Sequence, residues 1–567
     1  MGRIDNRGEL RAALRLDDGR PLDDGALVLE GYRRWGTALP ERLLGDFSFL
    51  IRDPAERRAF GARDHMGVKP YYYSRDGTCL LFSTDLAELV ARVPGARINH
   101  EHLAMSAICL LDLASGGTTT PYKDVFSLPG GSAVCLDDRG LKTWEYWRPD
   151  AAKRLGIPDG EAPAALRELI FSAVEARLPA KSAPAALLSG GLDSSAVVAV
   201  AAMILKKKNR ALDAFSAVLD RPSSDGTSDE SGFIRELACF ENIRFNRVTD
   251  AERGPFDDVA GLVGGSATPF HTSRHYLYAA FAQAARARGA STLLDGGFGE
   301  LGPSAHGAGY YPELFRAGRW ALLAKELKRR AQVDNQPAWR VAARHLALPL
   351  TPRRLLALAG RDHRRDLQQW ADQCPLANSY VEKTLGARKA ELLARVVASV
   401  GADRDHRRMQ ARNIILMQRR AADPFISADP APLELLFPFL DKRIIEFCLS
   451  APGHLKVRGG YARSLIRLAL DGVLPKAIQW RTSKEPFSPD YHRRYNRQRP
   501  CIARQLESIA SNDPVRKIVD VPRLLAMARV EMKSNRCGTP GDFMGMQTVP
   551  YGIYLIAFLR RFPEFQA

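Results

Sequence analysis

No stretch constrains this chain more than Leu187-Leu188-Ser189-Gly190-Gly191-Leu192-Asp193-Ser194-Ser195, where an apolar run passes through a glycine turn into the helix-favouring Ala196-Val197-Val198-Ala199-Val200. Such a run reads as a strand, a tight turn and a helix N-terminus, whose unpaired N–H groups and dipole favour a phosphate. Gly190 and Gly191 let the backbone approach oxygen atoms closely, and Ser189, Ser194 and Ser195 add hydroxyl donors. Asp193 is placed to hold a magnesium ion against the phosphates. With Leu188 leading in, the segment is a polyphosphate cradle, a far more specific signal than an isolated glycine turn.

Around the cradle the periodicity alternates between strand and helix. Helices are expected over 164–176, 194–207, 230–239 and 272–288, and strands over 185–188, 214–219, 243–248 and 291–294. That order predicts a doubly wound parallel sheet. Ligands of such sheets sit at the carboxyl ends of the strands, which gathers the cradle, Val218 and the segment Asp295-Gly296-Gly297-Phe298-Gly299-Glu300 around one crevice.

A chain of 567 residues exceeds one core and divides into two to four domains. Residues 1 to about 145 are β-rich, with strands expected over 47–52, 68–73 and 80–82 and a helix over 26–35. Residues 100–150 read as a connector. The Pro/Gly-marked stretch 151–160 is a domain boundary, which gives an α+β domain over 1–150 and the parallel-sheet domain over 160–567. Residues 310–430 read as mostly helical.

Apolar content of 46%, charged content of 26% and no run of eighteen apolar residues exclude a membrane span and a disordered chain. No secretory n- and h-region opens the sequence, so a cytoplasmic location is expected. The eight cysteines show no CxxC pair and read as reduced thiols. His271 and His275 stand four apart without a third ligand, so no zinc site is expected. A net charge of +18 concentrates anions, whether nucleic acid, membrane, ATP or an acidic peptide. Its arginines and lysines are dispersed and lack the interleaved aromatics on which single strands stack, so neither nucleic acid nor membrane is the expected partner.

Gly45-Asp46-Phe47-Ser48-Phe49, Ala62-Arg63-Asp64-His65-Met66-Gly67-Val68-Lys69-Pro70-Tyr71-Tyr72-Tyr73 and Phe82-Ser83-Thr84-Asp85 resemble the second half of the glutaminase domain of class B asparagine synthetases. The cradle resembles the SGGxDS loop of N-type ATP pyrophosphatases. Glu434-Leu435-Leu436-Phe437-Pro438-Phe439-Leu440-Asp441 resembles the synthetase motif E-x-R-x-P-F-L-D, with Leu436 for its arginine, and Gln479-Trp480-Arg481-Thr482-Ser483-Lys484 closes the series. The motif order covers nearly the whole chain.

The resemblance implies a truncated glutaminase-like domain of the Ntn type ahead of an ATP-pyrophosphatase synthetase domain with helical additions. It implies ATP and Mg2+ as cofactors, Asp193 and Asp295 as metal ligands, and the backbone at Val218 and at Gly296 and Gly297 as nucleotide contacts. Catalytic roles fall to Glu434, Lys484, Asp193 and Glu300, with Tyr310 or Tyr311 as a partner of Glu434. Arg463 and Arg467 face either substrate or solvent. The family's N-terminal cysteine has no counterpart near Gly2, its D-x-E pair is reduced to Asp24 with Ala26, and its G-x-D-E carries Gly299 for the aspartate. Either the sequence starts late or the domain is kept as support without glutaminase activity.

Arg458 to Arg463, Gln479 to Arg481 and Gly299 to Ser304 look most like the lasso-peptide cyclases. That likeness implies adenylation of an Asp or Glu side chain of a precursor peptide, then macrolactam closure by the peptide's α-amine, with a leader peptidase as partner. An asparagine synthetase, a β-lactam-synthetase-like amidotransferase, an ATP-binding scaffold without turnover and a nucleic-acid-modifying pyrophosphatase remain as alternatives.

Overall fold

The computed structural model describes residues 2–16, 22–76, 79–108, 117–219, 227–249, 252–269, 271–352, 355, 373–392, 405–419, 433–535, 542 and 544–566. It has a two-domain α/β architecture. In the first domain β1 (Gly2–Ile4), β2 (Gly45–Asp53) and β3 (Arg58–Arg63) form an antiparallel sheet with β7 (Ser132–Asp137) and β8 (Gly140–Glu145), in the order β1-β2-β3-β7-β8. β4 (Tyr72–Asp76), β5 (Cys79–Ser83) and β6 (Val125–Ser127) form a second sheet, ordered β5-β4-β6. Helix Asp24–Trp35 starts where the Asp23 carboxylate accepts the Ala26 N–H at 2.8 Å, and its Tyr32 stacks on Phe60 of β3 at 5.6 Å.

Two expectations for this domain need correction. The strand expected over 68–73 begins only at Tyr72, because the Asp64 carboxylate accepts the N–H groups of Met66, Val68 and Lys69 at 3.1, 2.9 and 2.8 Å and curls 64–69 into a loop. The stretch 100–150 is no connector: it supplies β6, β7 and β8, and β7 is an interior strand.

The second domain is built on β9 (Ala185–Leu187), β10 (Leu212–Ala217), β11 (Ile243–Val248), β12 (Thr292–Leu294) and β13 (Glu434–Leu436), all parallel and ordered β11-β10-β9-β12-β13. Side chains alternate across it. Ala185, Leu187 and Phe215 join the core on one face, with helix His275–Ala287, and Ala186, Leu188 and Ala214 join the core on the other, with helices Ala162–Arg177 and Leu192–Lys207. With both faces covered, the strands are short apolar runs. Helix Leu192–Lys207 is buried along most of its length, which its alanine and valine run requires.

A buried charge cluster joins the domains. Arg177 reaches Asp5 at 3.1 Å and Asp46 and Asp441 at 3.5 Å each, while Arg3 holds Asp5 and Asp46 at 2.6 and 2.8 Å. Burial pushes Asp46 up, but Arg177 and Arg3 outweigh it and hold the carboxyl below its ordinary value. His271 is tied to Ser266 and Thr268, and His275 to the Asp257 carbonyl, both as structural contacts. The described cysteines are free; Cys109 and Cys537 lie outside the described residues, as do parts of the expected helical region 310–430. Among the described residues no helix is long and apolar enough to cross a membrane.

Candidate active site

Sheet order reverses between β9 and β12, since the chain runs outward through β10 and β11 on one side and through β12 and β13 on the other. Loops leaving two such strands diverge and leave a crevice at their carboxyl ends. Here a cavity of about 440 Å3 opens between the turn after β9, the turn after β12 and two C-terminal segments, 461–467 and 481–487.

The turn after β9 is shaped by Gly190, whose φ of +71° suits glycine, and by the Glu230 side chain, which would lie 3.0 Å from an added Cβ. Gly191 caps helix Leu192–Lys207, whose first-turn N–H groups point into the crevice. Ser194 Oγ accepts the Ser189 N–H at 3.1 Å and lies 2.9 Å from Ser189 Oγ, so both hydroxyls converge there. Gly296 sits directly on that helix start: a Cβ would lie 2.5 Å from the Ser194 backbone nitrogen. The two turns are therefore locked together.

Five carboxylate residues line the cavity, of which Glu230 and Glu485 belong to the Arg481 clamp and Asp193, Asp295 and Glu300 come from the cradle and the turn after β12. Burial raises the Asp193 carboxyl above its ordinary value, against the pull of Ser304 and Arg463. Ser304 stands close, yet neither Asp193 Oδ1 nor Ser304 Oγ completes a hydrogen bond of normal geometry. An unsatisfied buried carboxylate oxygen beside further carboxylates is what a hard divalent cation takes as ligand. Gly299 makes room for it, since a Cβ there would lie 2.5 Å from Asp193 Oδ1. Asp295 accepts the Gly297 N–H at 2.8 Å, but burial dominates and pushes its carboxyl up to about 6.

Cations face them. Arg463, held at φ +58°, places Nη1 3.9 Å from Asp193 Oδ2 and donates to His306 Nε2 at 2.9 Å. Burial, and after it Arg463 and Arg330, lower His306 to about 4, so its ring is neutral at pH 7 and can accept that bond. Arg467 donates to the carbonyls of Ala462, Gln479 and Arg481, tying the two C-terminal segments to each other. Arg481 forms a two-pronged pair with Glu230 and donates to the Gly190 carbonyl at 2.8 Å and the Ser483 carbonyl at 2.7 Å. Its guanidinium lies 3.8 Å over the Phe233 ring. This clamp fixes the Thr482–Glu485 segment, and so Lys484, against the cradle.

Of the residues singled out from the sequence, Ser189, Gly191, Asp193, Ser194, Asp295, Gly296, Gly297, Glu300 and Lys484 line the cavity. Arg463 and Arg467 join them. Leu188 and Ser195 are buried behind the wall, Gly190 contributes only backbone shape, and Val218, one residue past the end of β10, does not line the cavity. Glu434 is not brought there. Its register opposite Thr292 puts it at the amino end of β13, where it pairs with Lys69 of the first domain. Tyr310 and Tyr311 pack into a helical cluster with Val341 and Val457 instead of meeting Glu434. Sequence reading missed Glu230, His306, Arg330, Tyr278 and Phe487. The Glu230–Arg481 pair spans 251 residues and leaves no local pattern.

Residues 165–540 match the family model for asparagine synthase, and residues 1–147 match that for the glutamine amidotransferase domain. Asparagine synthetase [glutamine-hydrolyzing] 3 of Bacillus subtilis is 24% identical over 88% of this chain and 76% of its own length. Putative asparagine synthetase [glutamine-hydrolyzing] 2 of Methanocaldococcus jannaschii is 31% identical over 35% of this chain and 39% of its own length, and the amidase chry2 of Gibberella zeae 26% over 52% and 44%. Among solved structures, an allosteric regulatory enzyme of purine biosynthesis covers 43% of this chain and 58% of its own at 11% identity, with a TM-score of 0.19 that bears on no detail of the site.

Proposed function

This chain belongs to the asparagine synthase family, and from that premise we propose that it adenylates an Asp or Glu side-chain carboxylate of a precursor peptide and closes a macrolactam with the peptide's α-amine. Family membership implies an ATP-dependent, AMP-forming ligase. The observation that carries the finer reading is convergence. The three segments that look like lasso-peptide cyclases, 299–304, 458–463 and 479–481, come from distant parts of the chain and meet around Asp193 and the cradle.

In this reading the cradle N–H groups and the Ser189 and Ser194 hydroxyls hold the phosphates. Asp193 and Asp295 would hold magnesium, which when bound neutralises phosphate charge. Lys484 and Arg463 stand where negative charge grows on the α-phosphate and the acyl oxygen. A substrate carboxylate oxygen attacks the α-phosphorus and pyrophosphate leaves; the amine then attacks the acyl carbon and AMP leaves. Glu300, exposed into the cavity, takes the proton the amine loses. Tyr278, Phe298 and Phe487 give the cavity an aromatic side that excludes water from the acyl-adenylate.

A second reading, asparagine formation, is favoured by the names of two relatives, one matching 88% and the other 35% of the chain. One experiment separates them: ATP·Mg2+ with a candidate precursor peptide and its leader peptidase, or with aspartate and either glutamine or ammonia. AMP together with loss of one water from the peptide supports macrolactam closure. AMP and asparagine in the second arm alone would replace it, and ATP binding without AMP in both arms would leave a scaffold.

A further inference from the structure

On the far face of the segment that carries Lys484 lies a second cavity, of about 750 Å3. Glu485 lines both cavities, so they share a wall at that residue. The Glu485 backbone in that wall is fixed, because its N–H donates to Glu230 Oε1 at 2.7 Å and Glu230 is held by Arg481.

The other walls are equally built. Asn535, 9% exposed, accepts the His492 N–H at 2.7 Å and donates to the Ser488 carbonyl at 2.9 Å. Ser488 Oγ bonds Tyr276 OH at 2.8 Å, and Asn496 and Met532 exchange two bonds of 2.9 and 3.0 Å. These contacts fix the described walls of the groove relative to one another.

Its lining states what it can take. Glu485, Glu531, Arg493 and Lys533 line it together with hydroxyls and amides such as Thr227 and Asn496. Both charge signs disfavour a polyanion, and charged groups of both signs in the lining disfavour a lipid tail. Alternating donors, acceptors and charges suit a polypeptide main chain with mixed side chains. A free amino acid has no use for this volume once its carboxylate is in the nucleotide cavity.

We infer that the groove binds the body of the peptide whose acidic side chain passes Glu485 into the nucleotide cavity. The inference rests on the ligase reading above and names the place where its substrate is recognised.

The test selects a randomised decapeptide display library on the full chain in the presence of ATP·Mg2+, with selection repeated on Arg493→Glu/Lys533→Glu and on Ser534→Trp. All three positions lie on the groove and outside the nucleotide site, and unchanged ATP affinity checks that the variants fold. Enriched peptides should contain Asp or Glu and bind each variant on the order of tenfold more weakly. No enrichment, or equal affinity for the variants, overturns the groove. Peptides that need the groove yet yield no AMP would overturn the ligase reading and keep the groove. AMP formed from free aspartate, unaffected by the variants and with no peptide selected, would do the opposite.

Discussion

Replacing Arg481 by methionine should separate two jobs that the wild-type side chain does at once. Arg481 and Glu230 are 3% and 6% exposed, and the arginine also anchors Gly190 and Ser483. Removing it leaves a buried carboxylate whose remaining hydrogen-bond donor is the Glu485 N–H, and a broken buried pair of this kind costs about 3–5 kcal/mol. Urea unfolding at pH 7 should therefore show a deficit of about 3–5 kcal/mol. Arg481→Met/Glu230→Gln removes the stranded charge and should recover most of that stability, since a buried pair replaced by neutral groups is often nearly neutral in cost. AMP formation should stay at least about a hundredfold low in both variants, because Lys484 has lost its anchor to the cradle. Arg481→Lys keeps the charge but lacks the fork that bonds Glu230, Gly190 and Ser483 together, and should fall between. Wild-type stability of Arg481→Met at pH 7, or a double variant no more stable than the single, would refute the reasoning.

Three further outcomes follow from the same geometry. Asp295, pushed up to about 6, is protonated in the folded chain at pH values where the unfolded one is charged, so its contribution favours folding in acid and is lost as pH rises through about 6. Moving from 3.8 to about 6, at about 1.4 kcal/mol per pH unit, makes Asp295→Asn up to about 3 kcal/mol more stable at pH 7 with little change at pH 4, readable by urea unfolding, while AMP formation drops. Gly299→Ala puts a methyl 2.5 Å from Asp193 Oδ1, so the carboxylate must move, and AMP formation should fall by roughly tenfold or more; unchanged turnover would remove Asp193 from the machinery. Arg177→Met leaves Asp5 and Asp46 to Arg3 and Asp441 to Arg443, removes the cation that joins all three, and should cost about 3 kcal/mol, with limited proteolysis between the domains near residues 151–161 as the second readout.

Much of the frame was legible because it is local. The strand 243–248 appears where alternation puts it, and the helix after the cradle starts at Leu192, two residues before the expected start, because Gly191 serves as its cap. The strand expected over 68–73 begins only at Tyr72, because an apolar pattern suits either state and the choice is made by the Asp64 carboxylate bonding the N–H groups of Met66, Val68 and Lys69. Motif order placed Glu434 in a catalytic role but could not say which end of its strand it occupies. Pairing with Thr292 decides that, and Lys69 of the other domain takes the side chain.

The amino-acid sequence by itself determined the cradle, the strand–helix alternation and the choice of acids on the turn after β12, because dihedral preference, glycine placement and apolar period act between near neighbours. Only the tertiary structure decided which charges face one another. Glu230 finds Arg481, Asp193 finds Gly299 and Arg463, and Arg177 gathers three aspartates from both domains, since burial strengthens such pairs across any separation in sequence.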